Sequence, residues 1–424
     1  MSDAPPKDKV SGAKVSGGMI PVAEALSRVL AAIPGPVEAE TVPIAQAAGR
    51  TLAADVRATR TQPPFPASAM DGYAVRSADL AEAPATLRLV GTSSAGHGFA
   101  GSVKGGEAIR IFTGAPVPEG ADAILIQENA EATSETVTGR EPVLRGRFIR
   151  PSGLDFRADD RLLAAGDTLD PRRIALAAAG GHGTLSVRRR PRVAILATGD
   201  ELVAPGDPAR WDQIVASNGL AVAALVREAG AEAIDLGIAG DTLAALDDAI
   251  LRAVAADADL LITLGGASVG DHDLVQSALR TRGLELGFWR VALRPGKPLM
   301  HGRLGRMAVL GLPGNPVASV VCGLLFVVPA IRALLGDPRA SADLSEPAIL
   351  GHDLPENDLR QDYLRSRIET DPGRIPVVHP ENRQDSSMLF ILGSAEALLI
   401  RAPHAPAAKA GDPCRILRLD RRLL

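Results

Sequence analysis

The rhythm of apolar and polar positions changes several times along the chain. From Pro21 to Ile33 apolar residues recur at helical spacing behind a proline, which predicts a short amphipathic helix. Val42 to Ala58 carries apolar pairs around Gly49-Arg50 and leaves helix and strand open. From Thr61 to Arg150 the apolar runs shorten, as in Leu87-Arg88-Leu89-Val90, Ala108-Ile109-Arg110-Ile111 and Ala123-Ile124-Leu125-Ile126. Proline and glycine separate them, which predicts a small all-β region. Asp170-Pro171 then opens a helix ending at Gly180-Gly181, with aspartate as N-cap and proline in the first turn. Arg188 to Arg190 reads as a solvated edge.

From Pro191 strands and helices alternate. Arg192–Ala197 and Ala233–Ile238 are predicted strands. Ser217 is expected to cap a helix stopping at Gly230, and a second helix, after Thr242, has Leu243, Leu246, Ile250 and Val254 on one side. Leu260–Leu264 is a continuous apolar run of the kind buried on both faces of a parallel sheet. Met307–Leu310 is another strand, followed by Gly311-Leu312-Pro313-Gly314-Asn315-Pro316 and an apolar helix over Val317–Leu335. Gly323, Pro329 and Arg332 interrupt that helix, so it reads as a core helix rather than a membrane span. The alternation predicts a doubly wound α/β domain. Beyond Pro338 the texture is β again, with strands near Tyr363–Ile368, Ile375–Val378, Ala397–Ile400 and Arg415–Leu419, which predicts a separate C-terminal β domain.

Composition narrows the function classes. The net charge of −4 over 424 residues argues against a bulk nucleic-acid binder. Two cysteines, Cys322 and Cys414, build neither a zinc site nor a disulfide framework, and Cys322 falls in an apolar helical run. The first 18 residues are rich in Lys, Gly, Ser and Pro without an apolar stretch, which predicts a disordered tail rather than a signal peptide and a cytoplasmic protein.

Candidate chemistry lies in the turns. The Leu260–Leu264 strand runs into Gly265-Gly266-Ala267-Ser268-Val269-Gly270 and then Asp271-His272-Asp273. Glycines after a strand allow close approach of a ligand, and a following helix start offers N–H groups to an anion. A tight turn alone would use the same glycines. Carboxylates beside a phosphate cradle repel the ligand unless a cation intervenes. Glu201, Asp241, Asp271 and Asp273 all follow predicted strands and should gather along one sheet edge, although any one alone is as well read as a helix cap. Asp71 and Thr113 each stand directly before a glycine, where ordinary turn chemistry is the simpler reading. Arg290, Arg294 and Lys297 follow Trp289 closely, in a predicted strand and loop, as candidate ligands for a phosphate or another oxyanion.

Taken together, PPFPASAMDGYAVR, IRIFTGAPVPEGADA, TGDEL, TLGGASVG, RPGKP and GLPGNPVAS resemble the molybdopterin molybdenumtransferases, the MoeA and gephyrin E-domain family, in order from about Met19 to the C-terminus. The resemblance implies insertion of molybdenum from molybdate into adenylylated molybdopterin with release of AMP, aided by Mg²⁺. It implies a multidomain α/β plus β protein: a disordered tail over 1–18, a discontinuous elongated α+β domain over 19–60 and 151–190, a small β domain over 61–150, a doubly wound MogA-like α/β domain over 191–337 and a C-terminal β-barrel over 338–424. It also implies a homodimer whose cleft lies between the α/β domain of one subunit and the MDGYA domain of the other. A molybdopterin adenylyltransferase and recipient molybdoenzymes are the implied partners, with neither nucleic acid nor membrane.

By motif, Asp71, Thr113, Asp155, Glu201, Asp241 and Asp273 match functional positions; Glu201, Asp241 and Asp273 are the candidate Mg²⁺ ligands. Arg365 and Ser386 match functional positions in the C-terminal domain, and Pro313 and Pro316 the turn that shapes the pocket; Gly265, Gly266, Ser268, Gly270, Arg290, Arg294 and Lys297 are the candidate substrate- or phosphate-binding residues. The chain departs from the family at Pro66-Ala67, commonly Asp-Asn, and at Val215-Ala216, commonly Tyr-Asp. Arg290 and Arg294 replace two lysines, and Gln384-Asp385-Ser386-Ser387 replaces Gln-Gly-Ser-Gly. These departures leave a non-catalytic molybdopterin-binding or delivery protein as the alternative, with a partner-clustering scaffold behind it.

Overall fold

The structure, a computed structural model, describes residues 18–266 and 274–419. Ser268, Gly270, Asp271 and Asp273 lie outside the described residues. The chain divides into two compact units, one formed by 1–40, 49–53 and 187–424, the other by 41–48 and 54–186.

The first unit is built on a six-stranded sheet. Its order is Glu232–Ala239, Arg192–Thr198, Leu260–Leu264, Met307–Leu312, Pro298–Leu304 and Glu285–Arg290. The first four are parallel to one another; the last two extend the sheet in antiparallel pairings. The Pro298–Leu304 strand carries no sequence signal strong enough to be expected. Alternation explains the unbroken apolar runs. Val193, Ile195, Leu260, Ile262 and Leu310 point into one core with Val22, Val29, Val226 and Phe326. Ala194, Leu196, Leu261 and Val309 point into the other with Leu246, Ala249, Ile250 and Ala253. Each fully buried Leu or Ile side chain contributes about 1.5–3 kcal/mol.

Several local expectations change. The helix Leu243–Ala255 buries Leu246, Ala249, Ile250 and Ala253, while Leu243 and Val254 stay half exposed. The buried stripe is therefore narrower and uses alanines. Ser217 stands at the N-cap of Asn218–Glu228 without a side-chain cap bond. Of Arg188 to Arg190 only Arg190 is exposed: Arg189 pairs with Asp259 and Glu38, and Arg188 donates to the Val37 carbonyl. The segment Pro316–Leu335 is apolar and long enough to cross a membrane, yet most of it is buried inside the protein. A π-helical turn over Gly323–Val327 divides it ahead of Pro329, whose missing N–H cannot continue an α-helical ladder. Cys322 is buried there, and burial pushes its thiol pKa up, as expected of a core cysteine.

Within the same unit the C-terminal region closes into a five-stranded barrel. Gln361–Glu369, Val377–Pro380, Glu346–Leu350, Pro413–Arg418 and Ala397–Arg401 pair around a ring back to Gln361–Glu369. Leu293–Arg294, from the α/β region, adds to that barrel alongside Gln361-Asp362.

The second unit holds a six-stranded sheet in the order Ala123–Ile126, Gly72–Val75, Glu107–Ile111, Ala85–Ser93, Thr136–Gly139 and Ala130–Ala132. The helix Pro171–Ala179 starts as the sequence predicts: the Asp170 carboxylate accepts the Arg173 N–H, and Pro171 occupies the first turn.

Candidate functional site

The parallel strands of the first unit end on a common edge, and a cleft of about 920 Å³ opens there. Its walls come from the ends of Arg192–Thr198 and Leu260–Leu264, from two proline-bearing turns at 294–298 and 313–316, and from the barrel loop 384–387. The turns have this shape because glycine is required in them. Gly265 has φ +91°, and a Cβ there would stand 2.8 Å from the Thr198 carbonyl oxygen. Gly266 has φ +63°, and a Cβ would meet Val275 at 2.2 Å. Gly296, φ +125°, lies against Cys322 Sγ and Leu293. Left-handed backbone and close packing thus coincide, and both exclude a side chain.

Glu201 lines the cleft and folds back over Gly199, where a Cβ would clash with its carboxylate at 2.4 Å. Asp241 follows the neighbouring edge strand; its backbone N–H donates to Asp200 Oδ1 at 3.0 Å. Asp241 is not among the residues lining the cleft. Sheet order therefore sets Glu201 and Asp241 on adjacent strand ends. Among the described residues no group of three metal-binding side chains forms.

Lys297, Pro313, Pro316 and Ser386 all line the cleft. Lys297 is exposed and forms no ion pair among the described residues. Asn315 stands at the N-cap of Pro316–Cys322, but its Nδ2 donates 2.8 Å to Ser386 Oγ instead of its side chain capping the helix. The Val317 N–H donates to the Ser386 carbonyl at 3.1 Å. Two bonds thus tether the barrel loop to the α/β region. Asn218 braces the opposite side, donating 2.7 Å to the Gly314 carbonyl. Asn218 and Asn315 were not singled out from sequence; Asn315 stands inside the GLPGNPVAS motif and Asn218 directly follows the predicted cap Ser217, and only their partners reveal their use.

The arginines behave differently from expectation. Arg290 is absent from the cleft lining and stacks 4.9 Å over the Trp289 ring. Arg294 reaches the cleft wall, but its guanidinium is not a free fork for an oxyanion: it pairs bidentately with Asp362. These hydrogen bonds raise its pKa further. Arg365 is fully buried behind the loop, where Nη2 donates 3.1 Å to the Asp385 carbonyl and 3.4 Å to that of Arg383. Its Nε and Nη1 have no partner among the described residues, and burial lowers its pKa. Arg365 borders a second cavity of about 360 Å³ rather than the main cleft.

In the second unit Asp71 and Thr113 do meet. Asp71 Oδ1 accepts both the backbone N–H and the hydroxyl of Thr113, each at 2.8 Å. The Thr113 backbone bond first, then its hydroxyl, hold the Asp71 carboxyl below the usual aspartate range, with Arg110 adding attraction. Gly72 is forced by packing: a Cβ would lie 2.1 Å from the Leu125 carbonyl oxygen. Arg110 stacks between Tyr73 and Phe112 at about 5 Å from each ring, and donates to the Gly72 carbonyl. Asp155 is exposed beside the bridge that joins Gln62 to Phe156, with its N–H on the Gln62 carbonyl.

A cleft at the carboxyl edge of a parallel sheet, with glycine turns and an unpaired lysine, lies where α/β sheets commonly hold small-molecule ligands. Comparison with known proteins is more specific. Residues 20–181 match the MoeA N-terminal region (domains I and II), 194–333 a probable molybdopterin-binding domain, and 347–419 the MoeA C-terminal region (domain IV). A molybdopterin molybdenumtransferase of Nostoc sp. is 36% identical over 389 residues, 90% of this chain and 89% of its own. That of Haemophilus influenzae is 36% identical over 348 residues, 82% of this chain and 85% of its own. A molybdopterin biosynthesis MoeA protein of Pyrococcus horikoshii superposes with a TM-score of 0.82 at 26% identity, over 94% of this chain and 99% of its own. The chain belongs to the molybdopterin molybdenumtransferase family.

Proposed function

We propose that this protein inserts molybdenum from molybdate into adenylylated molybdopterin, releasing AMP. The carrying observation is the cleft itself, where an unpaired lysine, a tethered serine hydroxyl and two obligatory glycine turns converge on the end of the parallel sheet. Lys297 offers a mobile ammonium to an oxyanion, and the Ser386 hydroxyl a further donor, fixed by Asn315. Rigid glycine turns let backbone approach a phosphate without a side chain between. Such donors stabilise charge as it builds on the departing AMP phosphate, typically by about 10²–10³ in rate per donor.

Glu201 and Asp241 supply oxygen ligands of the kind Mg²⁺ prefers, from adjacent strand ends, and Asp273 is the third ligand in this reading. The ion, when bound, offsets phosphate charge. Asp71, kept ionised by Thr113, is a preformed hydrogen-bond acceptor. In the proposed assembly, a cytoplasmic homodimer, it completes the cleft of the partner copy. A molybdopterin adenylyltransferase supplies the substrate, and recipient molybdoenzymes take the product.

The exposed apolar Ile214 and Val215 on the cleft wall favour a second reading, a protein that holds molybdopterin without reacting it. One assay separates the two: purified protein with adenylylated molybdopterin, molybdate and Mg²⁺, scored for AMP and for active cofactor. Molybdate-dependent AMP release is expected; tight retention without AMP would leave the binding protein.

A further inference from the structure

The turn that carries Lys297 is held from both ends. Upstream, Leu293-Arg294 pairs in parallel with Gln361-Asp362 of the barrel. Downstream, Gly296 sits against Cys322 in the long helix, and the Val291 N–H donates to the Lys297 carbonyl at 3.1 Å. The polar anchor is Arg294. Its Nε donates 2.8 Å to Asp362 Oδ1 and its Nη2 donates to Asp362 Oδ2. Nη2 also reaches Asn357 Oδ1 at 3.1 Å, and Nη1 reaches Asp358 Oδ2 at 3.3 Å.

Asp362 explains why the pair exists. Its side chain is only 5% exposed, and a carboxylate so placed needs a matched cation. The planar fork of arginine supplies that match; a lysine at 294 could offer only a point charge. The surrounding charge cancels: Arg294 and Arg360 face Asp358 and Asp362, two positive against two negative. Such a cluster exerts little net pull on an anion, whereas Lys297, in the same turn, lines the cleft and forms no ion pair among the described residues.

We propose that Asp362 is a positioning residue: it engages Arg294 as a clamp between the cleft turn and the barrel, so that Lys297 alone presents this turn's positive charge to the oxyanion. The oxyanion part rests on the function proposed above. The clamp transmits its effect through the backbone of residues 294–297.

The test uses the full chain, molybdate as the calorimetric probe, and amide hydrogen exchange over residues 293–298. Asp362→Asn and Arg294→Met should each weaken molybdate binding about fivefold, the scale of one good hydrogen bond. The double variant should be no weaker than either single one, since both remove the same clamp. Exchange over 293–298 should quicken in both while the strand end at Asp200–Asp241 keeps its protection, and Asp362→Glu should recover part of the affinity. Lys297→Met should abolish binding. A direct-ligand role for Arg294 has the opposite sign: Asp362→Asn would free the guanidinium and tighten molybdate binding. That result, or unchanged exchange in both single variants, overturns the clamp. A wild-type protein that binds no molybdate would defeat the functional reading, yet exchange would still decide the clamp.

Discussion

The cleft of the first unit and the Asp71–Thr113 pair of the second are both turn-borne, but they are fixed by different physics. In the cleft, backbone shape leaves no room for a side chain: a Cβ would clash with Thr198 at Gly265, with Val275 at Gly266 and with Cys322 at Gly296. The Asp71 carboxylate is instead solvent-accessible and set by two hydrogen bonds from one residue. The first arrangement depends on volume; the second depends on charge. A sheet edge packed this way holds its shape before any ligand arrives, whereas an exposed pair keeps its geometry only while the carboxylate is ionised.

The comparison breaks most readily at Gly296. Gly296→Val forces a branched side chain into a left-handed position against Cys322 and Leu293, and should cost about 2–4 kcal/mol in urea unfolding, with AMP release lost. A stability within 0.5 kcal/mol of wild type, roughly the surface-substitution range, would mean the turn is not volume-limited. Next, Lys297→Met should reduce AMP release by about 10²–10³ with an unchanged thermal midpoint, because the residue is exposed and unpaired.

Acid should also separate the two regions. Burial pushes the His301 imidazole down to about 4 from an ordinary value near 6.5. Above the ordinary value neither folded nor unfolded chain is protonated there. As pH falls towards 4, the unfolded chain binds a proton that the folded chain refuses, so stability falls across that window and the loss is complete below it. The scale is about 1–3 kcal/mol for the first unit. In unfolding curves between pH 7 and 4, His301→Leu should flatten this dependence. The Asp71 carboxyl shifts the other way in consequence: held below the usual aspartate range, its hydrogen-bonded arrangement persists through this window and is lost only as pH falls through its lowered value.

Asp71→Asn keeps an oxygen for Thr113 but removes the charge, so the fold should stay while AMP release drops about 10²-fold, the lower end of the range for a positioned acid–base side chain. Equal rates for the two proteins would reduce the pair to turn chemistry. The smallest effect is expected at Asn315→Ala, which removes one tether of Ser386 and leaves the Val317–Ser386 backbone bond. A rise of a few-fold in the molybdate requirement, equivalent to about 0.5–1.5 kcal/mol, with kcat unchanged, would mark it as a tether.

By itself the sequence determined the alternating core of the α/β region, because a parallel strand buried on both faces leaves no choice of residue. Leu260–Leu264 has the limits it was expected to have. It also determined the family, through six ordered motifs, and the helix start at Asp170-Pro171, because capping is a contact between near neighbours in the chain. Asp71 and Thr113 were legible as candidates because each precedes a glycine. Their hydrogen bond, across 42 residues, was not. The tertiary structure decided which cations are free. Arg290 lies on an indole, Arg294 on Asp362 and Arg365 on the carbonyls of the loop behind Ser386, while Lys297 stands open to the cleft. A charged side chain is written in the sequence as a charge. Its partner is fixed only when distant strands come into register, as Arg294 and Asp362 do, and whether that charge is left for a ligand depends on the partner.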